Sequence, residues 1–91
     1  MSERDEYEGF RAGIERRLEL AQKELDVDDL ARLRFAAQSR HGEWLRFVGH
    51  KPLVKKHAES LIALLADADK ELRPNQARDL EALVLERLPN P

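Results

Sequence analysis

The sequence predicts an all-α fold, and three features support this prediction. Leu, Ala, Glu and Arg are the commonest residues, and they lose little entropy in a helix. Thr is absent, and only six residues are of the β-branched types that favour strands. Apolar residues recur at steps of three and four along most of the chain, which is the spacing of a helix face. We therefore expect a small compact bundle of four main helices plus one short connecting helix.

The length predicts one helical-bundle domain that covers residues 1–91. The apolar fraction of 42% is too high for a disordered chain. A chain of this size buries only about 60–65% of the surface that its unfolded form exposes. The predicted core is therefore modest, and association with another chain would add stability.

The first predicted helix begins near the N-terminus and runs for about six turns. Ser2 followed by Asp5 indicates an N-cap with an acidic residue at the third helical position. Gly9 and Gly13 either allow another helix to approach closely or weaken the first turns, since each costs about 1 kcal/mol relative to Ala. The predicted apolar face consists of Tyr7, Phe10, Ile14, Leu18, Ala21 and Leu25.

The second predicted helix extends to about residue 40. Asp26 is placed to cap it, and Leu25 and Leu30 are spaced as a hydrophobic staple around that cap. Gly42 is expected in the left-handed conformation that often ends a helix. The predicted buried face consists of Val27, Leu30, Leu33 and Ala37.

The stretch EWLRFV, residues 43–48, predicts the short connecting helix, which Gly49 would close. A short buried strand also fits this apolar pattern, but a lone strand has no partner in an all-α chain. One or two helical turns cannot bury all four large apolar residues among five positions on one side. We therefore expect at least one member of this group to be exposed: Trp44, Leu45, Phe47 and Val48.

Two further helices complete the predicted bundle. Pro52 suits the first position of the central core helix, and Pro74 ends that helix because it cannot continue the hydrogen-bond ladder. The core face of the central helix is predicted as Val54, Ala58, Leu61, Leu65, Ala68 and Leu72, widened by Leu53, Ile62 and Leu64. The core face of the last helix is predicted as Ala77, Leu80, Leu83, Val84 and Leu88.

The charge is distributed unevenly along the chain. The net charge is only −2, but residues 1–31 carry −5, residues 32–57 carry +6 and residues 58–91 carry −3. All three histidines also fall in the central window. A basic segment between two acidic ones indicates either an anion-binding surface or neutralisation within the molecule.

These two interpretations make different predictions. Under internal neutralisation, the basic faces of helices two and four lie against the acidic faces of helices one and five, in surface ion pairs of about 0–1 kcal/mol each. Under the binding interpretation, a basic edge around residues 39–56 contacts a partner. The predicted partner-binding residues are Arg40, His41, Trp44, Arg46, Lys51, Lys55 and Lys56.

The sequence is compatible with two roles for Trp44, one at an interface and one in the core. Tryptophan is enriched among the residues that dominate protein interfaces. The neighbouring Leu45, Phe47 and Val48 instead favour a position in the core. The sequence leaves this choice open, although core packing is the usual role of a single tryptophan in a chain with five aromatic residues.

The sequence predicts a non-catalytic binding protein, such as an inhibitor, an antitoxin-like neutraliser or an adaptor. Its partner would be an acidic surface of another protein, since opposite charge orients the two and raises the association rate. The alternative is a nucleic-acid-binding protein that uses the same segment, with Phe35 and Trp44 stacking on bases. The residues around Gly42 do not match a helix-turn-helix.

No residue pattern indicates catalysis, a cofactor or a metal site. Cys and Thr are absent, and Ser39 beside His41 lacks the third member of a triad. The histidines do not follow the spacings of common zinc or di-iron motifs. We therefore predict that the chain is not an enzyme.

Localisation and assembly follow from the same features. No apolar run approaches the roughly 20 residues that span a membrane, and the absence of Cys favours a reducing cytoplasm. A first helix of this length is longer than a compact bundle needs, so its N-terminal end could pair with a second chain. The predicted homodimer face consists of Tyr7, Phe10 and Ile14.

Overall fold

The structure, a computed structural model, describes residues 2–39, 42–48 and 51–90. In this part of the chain all regular secondary structure is helical, and the long helices form one globule, so the all-α prediction is confirmed. The long helices are α1 (Glu3–Glu24), α2 (Val27–Ser39), α4 (Pro52–Glu71) and α5 (Pro74–Arg87). Between them, α3 (Leu45–Val48) is a single turn of four residues. A single turn does not confirm a separate connecting helix, so that part of the expected fold stays a prediction.

The predicted capping residues begin the helices. The Ser2 hydroxyl accepts a hydrogen bond from the Asp5 amide at 3.2 Å. The Asp26 carboxylate accepts one from the Asp29 amide at 2.9 Å. Pro52 occupies the first turn of α4 as expected. Gly42 has a φ of +86°, so the left-handed conformation predicted there is also confirmed.

Side-chain contacts between α1 and α4 show that these helices run antiparallel. Arg17 Nε donates a hydrogen bond to the Ser60 hydroxyl at 2.8 Å. Further along α1, Glu24 lies beside His57, which comes earlier in α4. Gly13 lets the helices approach closely, since a Cβ atom there would lie 3.1 Å from Leu64 Cδ2.

The helices α1 and α5 run in the same direction. An ion pair joins Glu3 Oε1 to Arg73 Nη2 at 3.0 Å near the beginning of both. Gln22 Nε2 donates a hydrogen bond to the Arg87 carbonyl oxygen at 3.2 Å near the end of both. The beginning of α1 is therefore attached to the bundle and does not overhang it.

The core forms where the predicted apolar faces meet. All six predicted core positions of the main stripe of α4 are buried, and α1 and α5 contribute most of their predicted faces. Two predicted positions are wrong. Val27 is 66% exposed because it is the first residue of α2 and follows the Asp26 cap. Leu53 is 39% exposed at the first turn of α4.

Candidate docking surface

The basic segment, which we define as residues 39–56, is only partly described. Arg40, His41, Gly49 and His50 lie outside the described residues, so the predictions that fall on them stay predictions. The cationic side chains that the structure does describe in this segment are all exposed: Arg46, Lys51, Lys55 and Lys56.

Some of these charges are neutralised locally. Lys51 Nζ lies 4.0 Å from Asp29 Oδ1, and Lys55 Nζ lies 4.0 Å from Glu59 Oε1. Such long, solvated pairs contribute about 0–1 kcal/mol. In the described part of the chain, Arg46 and Lys56 form no ion pair. Internal neutralisation therefore accounts for part of the basic segment and leaves two cations without a carboxylate partner.

Arg34 belongs to the basic window of the sequence, but its role is structural. Its Nη1 donates hydrogen bonds to the carbonyl oxygens of Leu85 and Leu88, the latter at 3.0 Å. Carbonyl groups in the last turn of a helix lack intrahelical donors and carry partial negative charge. Arg34 thus caps α5 and holds it against α2, which the charge pattern alone could not distinguish from a binding role.

The apolar residues of the basic segment divide between core and surface. Trp44 is only 8% exposed and packs in the core cluster, so the structure supports its core role and not that of an exposed anchor. Leu45 is 46% exposed and Leu53 is 39% exposed. The expectation that one residue of the connecting stretch would be exposed is therefore met by Leu45. Leu53 was missed because it follows Pro52 directly and looked like an extension of the core stripe.

The N-terminus of α4 has no side-chain cap. Lys51 occupies the N-cap position and its side chain forms no capping hydrogen bond. Pro52 has no amide hydrogen, so the amide groups of Leu53 and Val54 carry the positive end of this helix. Sequence reasoning could have found this feature, because no Ser, Thr, Asp or Asn stands immediately before Pro52. The exposed lysines at positions 51, 55 and 56 therefore lie at or just after a helix end that favours an anion.

His57 is a buried polar residue that directly follows the basic segment in the sequence. It is 5% exposed, and its Nε2 has no hydrogen-bond partner in the described structure. The nearest carboxylate oxygen, Glu24 Oε1, is 3.6 Å away. No group of three or more metal-ligating side chains occurs among residues 2–39, 42–48 and 51–90. His57 thus packs at the contact between α1 and α4 and contributes no surface charge to the docking surface.

The predicted homodimer face requires a correction. Ile14 is fully buried in the core of its own chain and cannot contact a second one. It lies on the inner side of α1, where α4 and α5 cover it. Tyr7 and Phe10 are half-buried and pack against the same core. The periodicity identified the apolar side of α1 correctly, but that side faces inward.

Comparisons with known proteins found no matching protein-family model, curated protein or solved structure. The described helices include none with the length and apolar character needed to cross a membrane.

Proposed function

We propose that this chain is a non-catalytic binding protein that docks on an acidic surface of another protein through the basic segment. The observation that carries the proposal is the combination of exposed leucines and exposed cations in this segment. Leu45 and Leu53 supply apolar contact area, and Arg46 and Lys56 supply charges that no described carboxylate neutralises. An interface of this kind uses a few buried anchors for affinity and charge for orientation.

The uncapped start of α4 supports an acidic partner. An Asp or Glu side chain of that partner would accept a hydrogen bond from the amide group of Leu53, which is exposed, whereas Val54 is buried. This carboxylate would also lie between the positive end of the helix and the neighbouring lysines. A carboxylate at a helix N-terminus contributes about 0.5–2 kcal/mol, which is comparable with one good interface contact.

The buried position of Trp44 favours a protein partner over a nucleic acid. Binding of single-stranded nucleic acid usually relies on aromatic side chains that stack on bases. Trp44 is in the core, and Phe35 is half-buried against it. Leu45 and Leu53 are aliphatic, and they are the exposed large apolar residues among those side chains of the basic segment whose placement the structure describes, which do not include Phe47. Leucine suits a pocket on a protein better than a base.

The test is affinity capture from host lysate with the wild-type chain and with a variant that carries Arg46→Glu and Lys56→Glu. A matched control carries Lys70→Glu and Arg78→Glu, which change the charge equally at exposed positions outside the basic segment. Each capture is run with and without nuclease. We expect one defined protein that survives nuclease, is lost with the first variant and is retained by the control.

A second variant, Leu45→Ala, tests the anchor. Truncation of an exposed leucine leaves the charge and the core unchanged, so its loss of affinity for the purified partner would reflect apolar contact. Two outcomes contradict the proposal. Capture of nucleic acid alone, removed by nuclease, would support the alternative function, and equal capture by both charge variants would show that the basic segment does not bind.

A further inference from the structure

One side of α1 carries a stripe of residues that lie outside the core cluster, although Gly13 at its centre packs closely against Leu64 of α4. The residues of the stripe recur at steps of three, four, three, four and three, which is the heptad spacing of a helix-pairing surface. Every member except the half-buried Gly13 is exposed. The stripe consists of Glu6, Gly9, Gly13, Arg16, Leu20 and Lys23.

One half of this stripe borders a shallow, open cleft whose lining includes two acidic residues. Gly9 and Phe10 of α1 and Leu64 of α4 line an open cleft of about 300 Å³. Asp5 and Glu6 complete its lining. A Cβ atom on Gly9 would meet no atom within 4 Å, so glycine leaves room at this position that packing within the chain does not fill.

The other half of the stripe is basic and exposes a leucine. Leu20 is 47% exposed, one of the few large apolar side chains in the described structure that reach solvent. Arg16 precedes it by four residues and Lys23 follows it by three, so both cations are its neighbours on the helix surface. Glu6, Arg16 and Lys23 form no ion pair within the described part of the chain.

We propose that two copies of this chain pair through the α1 stripe as an antiparallel, two-fold symmetric dimer. Leu20 and Gly9 are about three helical turns apart on the same side of α1. An antiparallel second copy that places its Leu20 over Gly9 therefore also receives Leu20 of the first copy over its own Gly9. The same register places Lys23 of each copy beside Glu6 of the other.

Each of these pairs is complementary in size or charge. The apolar side chain of Leu20 enters the cleft formed at Gly9, where a Cβ atom would meet nothing within 4 Å. Glu6 and Lys23 have opposite charges, and symmetry forms this pair twice. A parallel arrangement in register would instead place Glu6 beside Glu6 and Lys23 beside Lys23, which like charges disfavour. One pair of helices buries a small area, so the dimer dissociates on dilution.

Charge exchange tests the pairing. Glu6→Lys places like charges together at two symmetric positions, and Lys23→Glu does the same with the opposite sign. We expect each single variant to associate at least about tenfold more weakly than wild type in sedimentation velocity. The double variant Glu6→Lys/Lys23→Glu regains association, and so does an equimolar mixture of the two single variants, because both arrangements restore opposite charges.

A truncation with a matched control tests the apolar contact. Leu20→Ala removes the side chain that enters the cleft, and we expect about tenfold weaker association. Val27→Ala truncates another exposed aliphatic residue, which lies on α2, and should leave association unchanged. Circular dichroism of each variant separates lost pairing from lost folding.

Because the chain contains no cysteine, cross-linking can determine the direction of pairing. Under oxidation, a mixture of the Gly9→Cys and Leu20→Cys variants should form a mixed disulfide dimer faster than either variant alone forms its own. Three results overturn the proposal: a wild-type chain that stays monomeric at its solubility limit, no recovery in the charge-exchanged pair, or faster cross-linking of Leu20→Cys with itself.

Discussion

Individual residues determine how this chain turns and where its helices end. Gly42 is the one described glycine with a positive φ, whereas Gly9 lies within a regular helix and has space for a Cβ atom. Arg34 caps α5 from a position that the sequence counts only as a positive charge. A glycine or an arginine therefore has different structural roles at different positions. The backbone conformation or the side-chain contacts at each position show which role applies.

Substitution of Gly42 tests this difference. Gly42→Ala should reduce the free energy of unfolding by about 1 kcal/mol, because an alanine is strained in the left-handed conformation. No neighbouring described atom would clash with the added methyl group, so the cost arises from the backbone alone. Gly42→Asn should cost less, since asparagine tolerates this region better. Urea denaturation measures both.

The matched control is Gly9→Ala at a protein concentration low enough to suppress association. It should raise the free energy of unfolding by about 0.5–1 kcal/mol, because alanine is the better helix former and space is available. If Gly42→Ala were also stabilising, the left-handed conformation would not be what requires a glycine at position 42.

The individual helices were largely predictable because their signals are local. Ser2, Asp26 and Pro52 mark helix starts through hydrogen bonds or steric effects within one turn. The exposed positions were not predictable in the same way. Val27 and Leu53 stand at the first positions of their helices, where the helical period does not determine whether a neighbouring helix covers the side chain.

The uncapped start of α4 gives a prediction for one helix. Lys51→Ser introduces a hydroxyl that can accept a hydrogen bond from the first turn of α4, and we expect a gain of about 1 kcal/mol in the free energy of unfolding. The proposed docking should weaken at the same time, because the serine occupies the amide group that a partner carboxylate would use.

Lys51→Ala is the control, since it removes the same charge at the same position and supplies no capping hydroxyl. Thermal or urea denaturation reports the stability, and capture of the partner reports the docking. A Lys51→Ser variant that loses stability would show that α4 has no free capping position there. A variant that gains stability but binds the partner as tightly as wild type would show that the start of α4 is not part of the docking surface.

For the whole molecule, the sequence shows that acidic and basic residues are segregated along the chain. It does not show where the acidic and basic segments contact each other in the fold. The packing of α2 against α4 brings Asp29 to Lys51, so the basic segment is partly neutralised by the acidic segment that precedes it. The antiparallel arrangement of α1 and α4 places Leu64 beside Gly9 and so creates the cleft. Both features depend on tertiary packing, which local patterns do not encode.

Because the molecule is small, truncating one core side chain removes a large part of its free energy of unfolding. A domain of this length has a free energy of unfolding of about 5–14 kcal/mol. Leu61 is fully buried on the central helix α4, and Leu61→Ala should cost about 2–5 kcal/mol through lost burial and a residual cavity. That cost would remove a large fraction of the total and shift the urea midpoint strongly. Leu45→Ala removes an equal volume at an exposed position and should cost about 0.5 kcal/mol or less. If the two variants unfolded at the same urea concentration, α4 would not be the centre of the core, and the cleft and the docking surface, which both depend on its position, would have to be placed anew.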